Sequence, residues 1–334
     1  MTATVRCTNY EDVLSFSGVH NQQYINDNSV YFPLSLVQLI AYSFSLGTYN
    51  TFRDFLTGFL YYSSLPYFLL RISDGKYVSS DAYKYSEQSF KTAFSFYIGM
   101  LAAKVVADQK YHIKHLLHLN DCSLEYVSKT GKHPDFFGSD TKGINYLFEA
   151  KGTASQRCDS DDIKNAKEQL NAISHVKRVG NPKPRKISSK RIIASSFPKE
   201  TWTIDDIDPS ESGDVTLSLD FDKAMFLYYR TIMELLLHAP SRSERTFSGT
   251  PFVCARVTDE LCVGLHKGCY DFFQKGYEQY FTSQTSSSQV DVEPERFCPN
   301  VYDETTSILS SFTPPEATET LSILPDGILC ASTL

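Results

Sequence analysis

Apolar positions recur along this chain with two periods, and each period predicts a different element. From Ser86 to Asp108, Phe90, Ala93, Phe94, Tyr97, Met100 and Leu101 return every three or four residues, the spacing of one helical face. Ser86 can cap that helix. Between Asp161 and about Val176, Ile163, Ala166, Leu170 and Ile173 predict a second helix, with Asp159 or Ser160 as its cap and acids in its first turn. A period of two replaces this spacing from Cys122 to Ser128, before turn residues Lys129 to Lys132. Pro134 to Gly138 and Ile144 to Lys151 then predict a hairpin, joined by Ser139-Asp140-Thr141-Lys142-Gly143. A strand at Arg191 to Ser196 follows. Farther on, helices are expected at Asp222–His238 and from about Leu265 to Phe281, and strands near Phe252–Arg256 and over Leu321–Ala331.

These elements divide the chain into three parts. Residues 1–81 predict an aromatic-rich, mostly helical N-terminal layer. Residues 82–199 form an α/β core. Residues 200–334 comprise an acidic connector and a smaller C-terminal α/β extension. The connector expectation rests on Glu200 to Asp222, which carries eight acids and no Lys or Arg. A hydrophobic share of 42% in 334 residues excludes a disordered or fibrous chain. The net charge of −7 excludes a uniformly basic nucleic-acid coat, so any such binding needs a local patch. Eight cysteines without a CxxC pair predict reduced thiols and a cytoplasmic protein, and no export signal is visible at the N-terminus. Uncharged runs at Asn28–Phe52 and Phe55–Leu70 are interrupted by Pro33 and Pro66 and studded with polar side chains. They predict a packed layer rather than a membrane hairpin.

The chemistry concentrates in the hairpin. On a strand from Ile144 to Lys151, side chains alternate, so Asn145, Leu147, Glu149 and Lys151 share one face while Ile144, Tyr146, Phe148 and Ala150 share the other. The hairpin brings Asp135 close to Glu149. Two carboxylates and an ammonium in one small volume suit phosphodiester cleavage: the carboxylates are hard oxygen ligands for Mg²⁺ or Mn²⁺, and the lysine can stabilise developing charge. The carbonyl of Ala150, between the two side chains, is a further ligand candidate. Other acid-x-lysine triplets, such as Asp140 to Lys142 and Asp162 to Lys164, fall in a turn or a polar helix start instead of ending an apolar strand.

Pro134-Asp135 followed by Glu149-Ala150-Lys151 resembles the signature of the PD-(D/E)xK nuclease superfamily. The order helix, three-strand meander, helix, strand over roughly residues 82–198 resembles that family's restriction-endonuclease-like core. The resemblance implies that Asp135 and Glu149 bind Mg²⁺, that Lys151 assists catalysis, and that the substrate is DNA. It also points to Glu87, the only Glu of the first helix, as an added catalytic acid. Exonuclease branches carry Gln and then Tyr four residues later on the second helix. Gln169 fits, but Ile173 stands in the Tyr position, so an endonuclease is favoured. Restriction or anti-phage defence is the family's expectation, and cutting both strands would suit a homodimer, with or without a partner protein.

Val176 to Arg191 contains Lys177, Arg178, Lys183, Arg185, Lys186, Lys190 and Arg191 and no acid. It predicts an extended basic loop bordering the site and touching a phosphate backbone. Lys164 and Lys167 of the second helix add candidate phosphate contacts, with Gln169 beside them. Cys254, Cys262, His266 and Cys269 have soft-metal chemistry without a zinc spacing. The alternative function is a catalytically inactive nucleic-acid-binding or complex-assembly subunit that keeps the nuclease fold.

Overall fold

The computed structural model describes residues 2–13, 16, 29–46, 64–119, 133–181, 183–209, 213–256, 258–259, 261–284 and 298–332. The chain opens with strands β1 (Thr2–Tyr10) and β2 (Ser29–Ser35), helix α1 (Leu36–Phe44), strands β3 (Leu70–Ser73) and β4 (Lys76–Ser79), and the short helix α2 (Asp81–Lys84). The long helix α3 (Gln88–Gln109) leads to β5 (Leu117–His118), β6 (Phe136–Ser139) and β7 (Asn145–Gly152). Helix α4 (Ser160–Asn171) precedes β8 (Ile173–Arg178), β9 (Arg185–Lys186), β10 (Ser189–Ser196), β11 (Thr203–Ile207) and β12 (Val215–Leu219). Then come α5 (Phe221–His238), β13 (Arg242–Phe247), β14 (Thr250–Arg256), β15 (Leu261–His266), α6 (Lys267–Gln284), α7 (Val301–Ile308), β16 (Leu321–Ile323) and β17 (Ile328–Ser332). The protein is a mixed α/β molecule of two compact units: Met1–Leu34, Leu65–Leu119 and Leu124–Leu219 in one, Ser35–Ser64, Asn120–Ser123 and Asp220–Leu334 in the other.

The first unit is built on a nine-stranded mixed sheet in the order β3-β4-β1-β11-β10-β7-β6-β5, with β2 also paired to β1. Strand β7 lies inside it, parallel to β10 and antiparallel to β6. Its residues 145–150 are all buried, as expected of a central strand packed on both faces. Helix α3 packs against β7 and β10, and α4 packs against the same two strands. The α3 contact is a backbone approach. A Cβ on Gly152 would lie 1.9 Å from the Ser95 carbonyl oxygen, and one on Gly99 2.9 Å from the Gly152 nitrogen. Only glycine fits at Gly152 without displacing the helix. The C-terminal half of α3 is buried, whereas its N-terminal turns carry exposed Phe90 and Phe96. Among the described residues α3 alone has the length and apolarity to cross a membrane, and 61% of its apolar window is buried inside the fold.

Several expectations change here. Residues 2–10 form a strand between β4 and β11, not a helical layer, with the small side chains of Ala3, Val5 and Cys7 buried in alternation. The acidic stretch after Glu200 is no exposed connector. Strand β11 pairs in parallel with β1 and antiparallel with β10, burying Ile204, Asp206 and Ile207. Asp206 is tolerated there because Lys110, the Tyr111 hydroxyl (2.6 Å) and, at 3.8 Å, Arg191 surround it. Helix α4 stops at Asn171, and Ile173–Arg178 becomes a strand of a second sheet, β12-β8-β9. The basic loop is therefore partly a hairpin, in which Val176 pairs with Arg185. The strand expected at Cys122–Ser128, and the turn after it, lie outside the described residues.

In the second unit, β13-β14-β15-β17-β16 form an antiparallel sheet. Residues 261–266 are strand β15, so the helix expected from Leu265 begins at Lys267. The turn Pro325-Asp326-Gly327 closes the final hairpin. Asp326, fully buried, accepts hydrogen bonds from Ser45 Oγ (2.9 Å), the Tyr228 hydroxyl and the Ile328 N–H (3.1 Å). Its carboxylate thus ties α1, α5 and the hairpin turn together.

Candidate active site

The β6–β7 ladder pairs Phe136 with Phe148, and the Asp135 N–H still donates to the Phe148 carbonyl at 3.1 Å. Beyond that bond the Asp135 carboxylate takes over: its Oδ2 accepts the Ala150 N–H at 2.8 Å. A residue's N–H and C=O leave a strand on the same edge, so the Ala150 carbonyl also faces the Asp135 side. Glu149 and Lys151 share a strand face, and Lys151 Nζ donates to Glu149 Oε1 at 2.7 Å. Glu149 is only 1% exposed, and its Oε2 is buried with no hydrogen-bond partner among the described residues. Asp135, Glu149, Ala150 and Lys151 are thus brought together at one end of one hairpin.

The electrostatics follow from that burial. Loss of solvent, and then the Asp135 charge, push the Glu149 carboxyl up to about 8, against the pull of Lys151. Burial raises Asp135 as well, opposed by the Ala150 N–H and by the charges of Lys151 and His133. Burial alone would lower Lys151, but Glu149 and Asp135 outweigh it and hold the ammonium above its ordinary value. One cation cannot neutralise two carboxylates. The cluster therefore carries excess negative charge unless one carboxyl is protonated.

Asp135, Ala150 and Lys151 open onto a cleft of 450 Å³. Its far wall is α3, through Gln88, Lys91, Thr92, Ser95 and Phe96, and its floor continues through Gly152 to Ser155. Sequence reasoning missed this wall. Its signal was a polar stripe at helical spacing, Gln88, Lys91, Thr92 and Ser95, on an otherwise aromatic helix start. Glu87 lies elsewhere: it is the exposed N-cap of α3, its carboxylate accepting the Ser89 N–H at 3.1 Å, and it does not line the cleft.

The nucleic-acid candidates divide sharply. Lys183, Arg185 and Lys186 are exposed on the β9 segment, and Lys164 is exposed on α4 with Lys167 half-buried. Gln169 instead donates to the His133 carbonyl at 3.1 Å, which fixes the segment entering Pro134 and Asp135. Lys190 is buried and donates to the Asn171 carbonyl at the end of α4. Arg191 lies over the Tyr111 ring, 5.4 Å from its centroid, and reaches Asp206 and Asp208. Lys190 and Arg191 are structural cations. The β9 segment meets β7 at Asn145, whose Nδ2 donates to the Lys186 carbonyl at 3.1 Å. It therefore sits at the end of β7 opposite Lys151, roughly 20 Å away along the strand.

No family model, curated protein or solved structure matches this chain.

Among the described residues no three His, Cys, Asp or Glu side chains converge as metal ligands. The cysteines at positions 254, 262 and 269 are buried free thiols. The hairpin offers two carboxylates, one with an orphaned buried oxygen, and a backbone carbonyl on the same edge. That hard, all-oxygen and incomplete set suits Mg²⁺ or Mn²⁺, which keep several waters, and does not suit zinc.

Proposed function

We propose that this chain is a Mg²⁺-dependent nuclease of the PD-(D/E)xK kind that hydrolyses phosphodiester bonds in DNA. The observation that carries this proposal is the orphaned, buried Oε2 of Glu149 in a carboxylate pair that a single lysine cannot neutralise. Asp135 and Glu149 would hold the ion, with the Ala150 carbonyl as a third ligand. Bound there, it would supply a more acidic water and neutralise charge gathering on the phosphate. Lys151 keeps its proton through the working pH range, so its role is to orient the attacking water and to stabilise negative charge in the transition state. Lys91, which has no ion-pair partner among the described residues, is available on the α3 wall to bind a flanking phosphate. Restriction or defence against phage would suit such an activity, as would assembly into a homodimer.

The test is purified protein with Mg²⁺ or Mn²⁺ on linear, circular and single-stranded DNA. Glu149→Ala and Lys151→Ala should each lose on the order of 10²–10³ in rate. Cleavage at the wild-type rate by both variants would remove these residues from the mechanism.

One observation favours a second assignment, a non-catalytic nucleic-acid-binding subunit. Lys151 already pairs with one oxygen of Glu149, Oε1, at 2.7 Å, so the cluster can persist without a metal. DNA binding that survives Glu149→Ala, with no cleavage by the wild type, would establish that alternative.

A further inference from the structure

The α3 wall of the cleft is polar at Gln88, Lys91, Thr92 and Ser95, and then presents Phe96. That ring is 54% exposed. It makes no ring contact among the described residues, whereas its neighbour Phe94 packs against Phe68, Phe90 and Tyr83. An exposed phenylalanine costs hydration free energy, and a cleft wall is where that cost is recovered when a flat ligand covers the ring. The opposite side of the cleft carries Lys151 and Asp135, so a ligand stacked on Phe96 has its charged backbone beside the cluster and beside Lys91. In a duplex the base faces are already covered by their neighbours. A base reaches an aromatic ring only where the strand is single or frayed.

We propose that Phe96 is a stacking platform for one unpaired base, and that the substrate enters the cleft as single-stranded DNA or as a frayed end. This deepens the nuclease assignment and rests on it for the identity of the ligand. Lys91 then acts as the phosphate contact on the same helix, about 1.4 turns before the ring.

The probe is a single strand carrying one 2-aminopurine, whose fluorescence falls when the base stacks. Binding is measured with a chelator present, so that affinity is read apart from cleavage. Wild type should quench the probe. Phe96→Ala should weaken single-strand affinity by about 10-fold, the scale of one base–aromatic stack, and abolish the quench. Phe96→Tyr should bind within about two-fold of wild type, and Phe96→Leu, which keeps the apolar bulk and the fold, should behave like the alanine variant. Equal affinity and quenching in wild type and Phe96→Leu would overturn the proposal. A separate cleavage assay on wild type keeps the two claims distinct. Metal-dependent cutting without dependence on Phe96 sinks only the platform. Phe96-dependent binding without cutting sinks only the nuclease.

Discussion

Glu149 carries a cost that its neighbours only partly offset. Burial, and then the Asp135 charge, push its carboxyl up to about 8 in the folded chain, against about 4.3 for an unfolded glutamate. The folded state therefore binds the proton more tightly. The associated stability is complete below the unfolded value and is lost as pH rises through the folded one. Metal-free protein should thus lose thermal stability between about pH 5 and 8. Glu149→Gln, which is permanently uncharged, should flatten that decline and raise Tm at pH 8, by roughly 2–4 °C for each kcal/mol recovered. Calorimetry of both proteins with a chelator checks this; parallel curves would show that the carboxylate is not strained. Mg²⁺ should raise the wild-type Tm at pH 8 and leave the glutamine variant unmoved.

Asp135 separates structure from chemistry at the same scale. Its Oδ2 accepts the Ala150 N–H, and an asparagine oxygen can accept the same bond. Urea denaturation should find Asp135→Asn close to wild type and Asp135→Ala about 1–2 kcal/mol less stable, because alanine leaves the strand N–H unpaired. Both variants should lose metal affinity. A metal-dependent Tm shift that survives in Asp135→Asn would remove this residue from the ligand set.

At the scale of elements, the position of the cleft depends on how closely α3 can approach β7. The Ser95 carbonyl leaves no room for a Cβ at Gly152, and backbone against backbone cannot yield as a flexible side chain would. Gly152→Ala should cost at least 1–3 kcal/mol, the scale of overpacking, and should lower cleavage by shifting Lys151 against the α3 wall. Gly249→Ala is the comparison. Its Cβ would meet nothing within 4 Å, although its φ of +81° still disfavours alanine. A smaller loss at Gly152 than at Gly249 would refute the contact argument.

The same scale decides how much of the molecule was legible in the sequence. The hairpin, α3, α5 and the closing Leu321–Ala331 segment each announce themselves through local periodicity and turn residues. The grouping of Asp135, Glu149 and Lys151 was legible because strand alternation pairs Glu149 with Lys151 and the hairpin brings Asp135 alongside. Strand β11 was hidden because Asp206 is paired with Lys110 and Arg191 and Asp205 lies beside Arg6 and Tyr10, residues remote in sequence. Strand β1 buries small residues whose alternation carries little apolar weight, and β8 continues the i, i+3 spacing of α4 through Ile173. Phe96 lay outside any stripe. Its role comes from the far wall of a cleft that only tertiary packing creates.

At the scale of the whole molecule, the net charge of −7 opposes binding to a polyanion, so the exposed cations on and beside β9 must act locally. They project at the end of β7 away from Lys151, roughly 20 Å along the strand, a span that about six base pairs of duplex would cover. A duplex leading into the cleft could therefore lay its backbone along Lys183, Arg185 and Lys186 while one frayed strand reaches Phe96. Each phosphate contact contributes roughly 0.9 to the slope of log affinity against log salt on duplex DNA. Replacing Lys183, Arg185 and Lys186 together with alanine should flatten that slope by up to three such increments, with little effect on Tm. Arg191→Ala should do the reverse. It breaks the half-buried pairing with Asp206 and uncovers the Tyr111 ring, so it should lower Tm while leaving the slope intact. Titrations at four or five salt concentrations, paired with melting curves, separate the two groups of cations; a slope that falls with Arg191→Ala instead would place the DNA path along α3 and β10 rather than along β9.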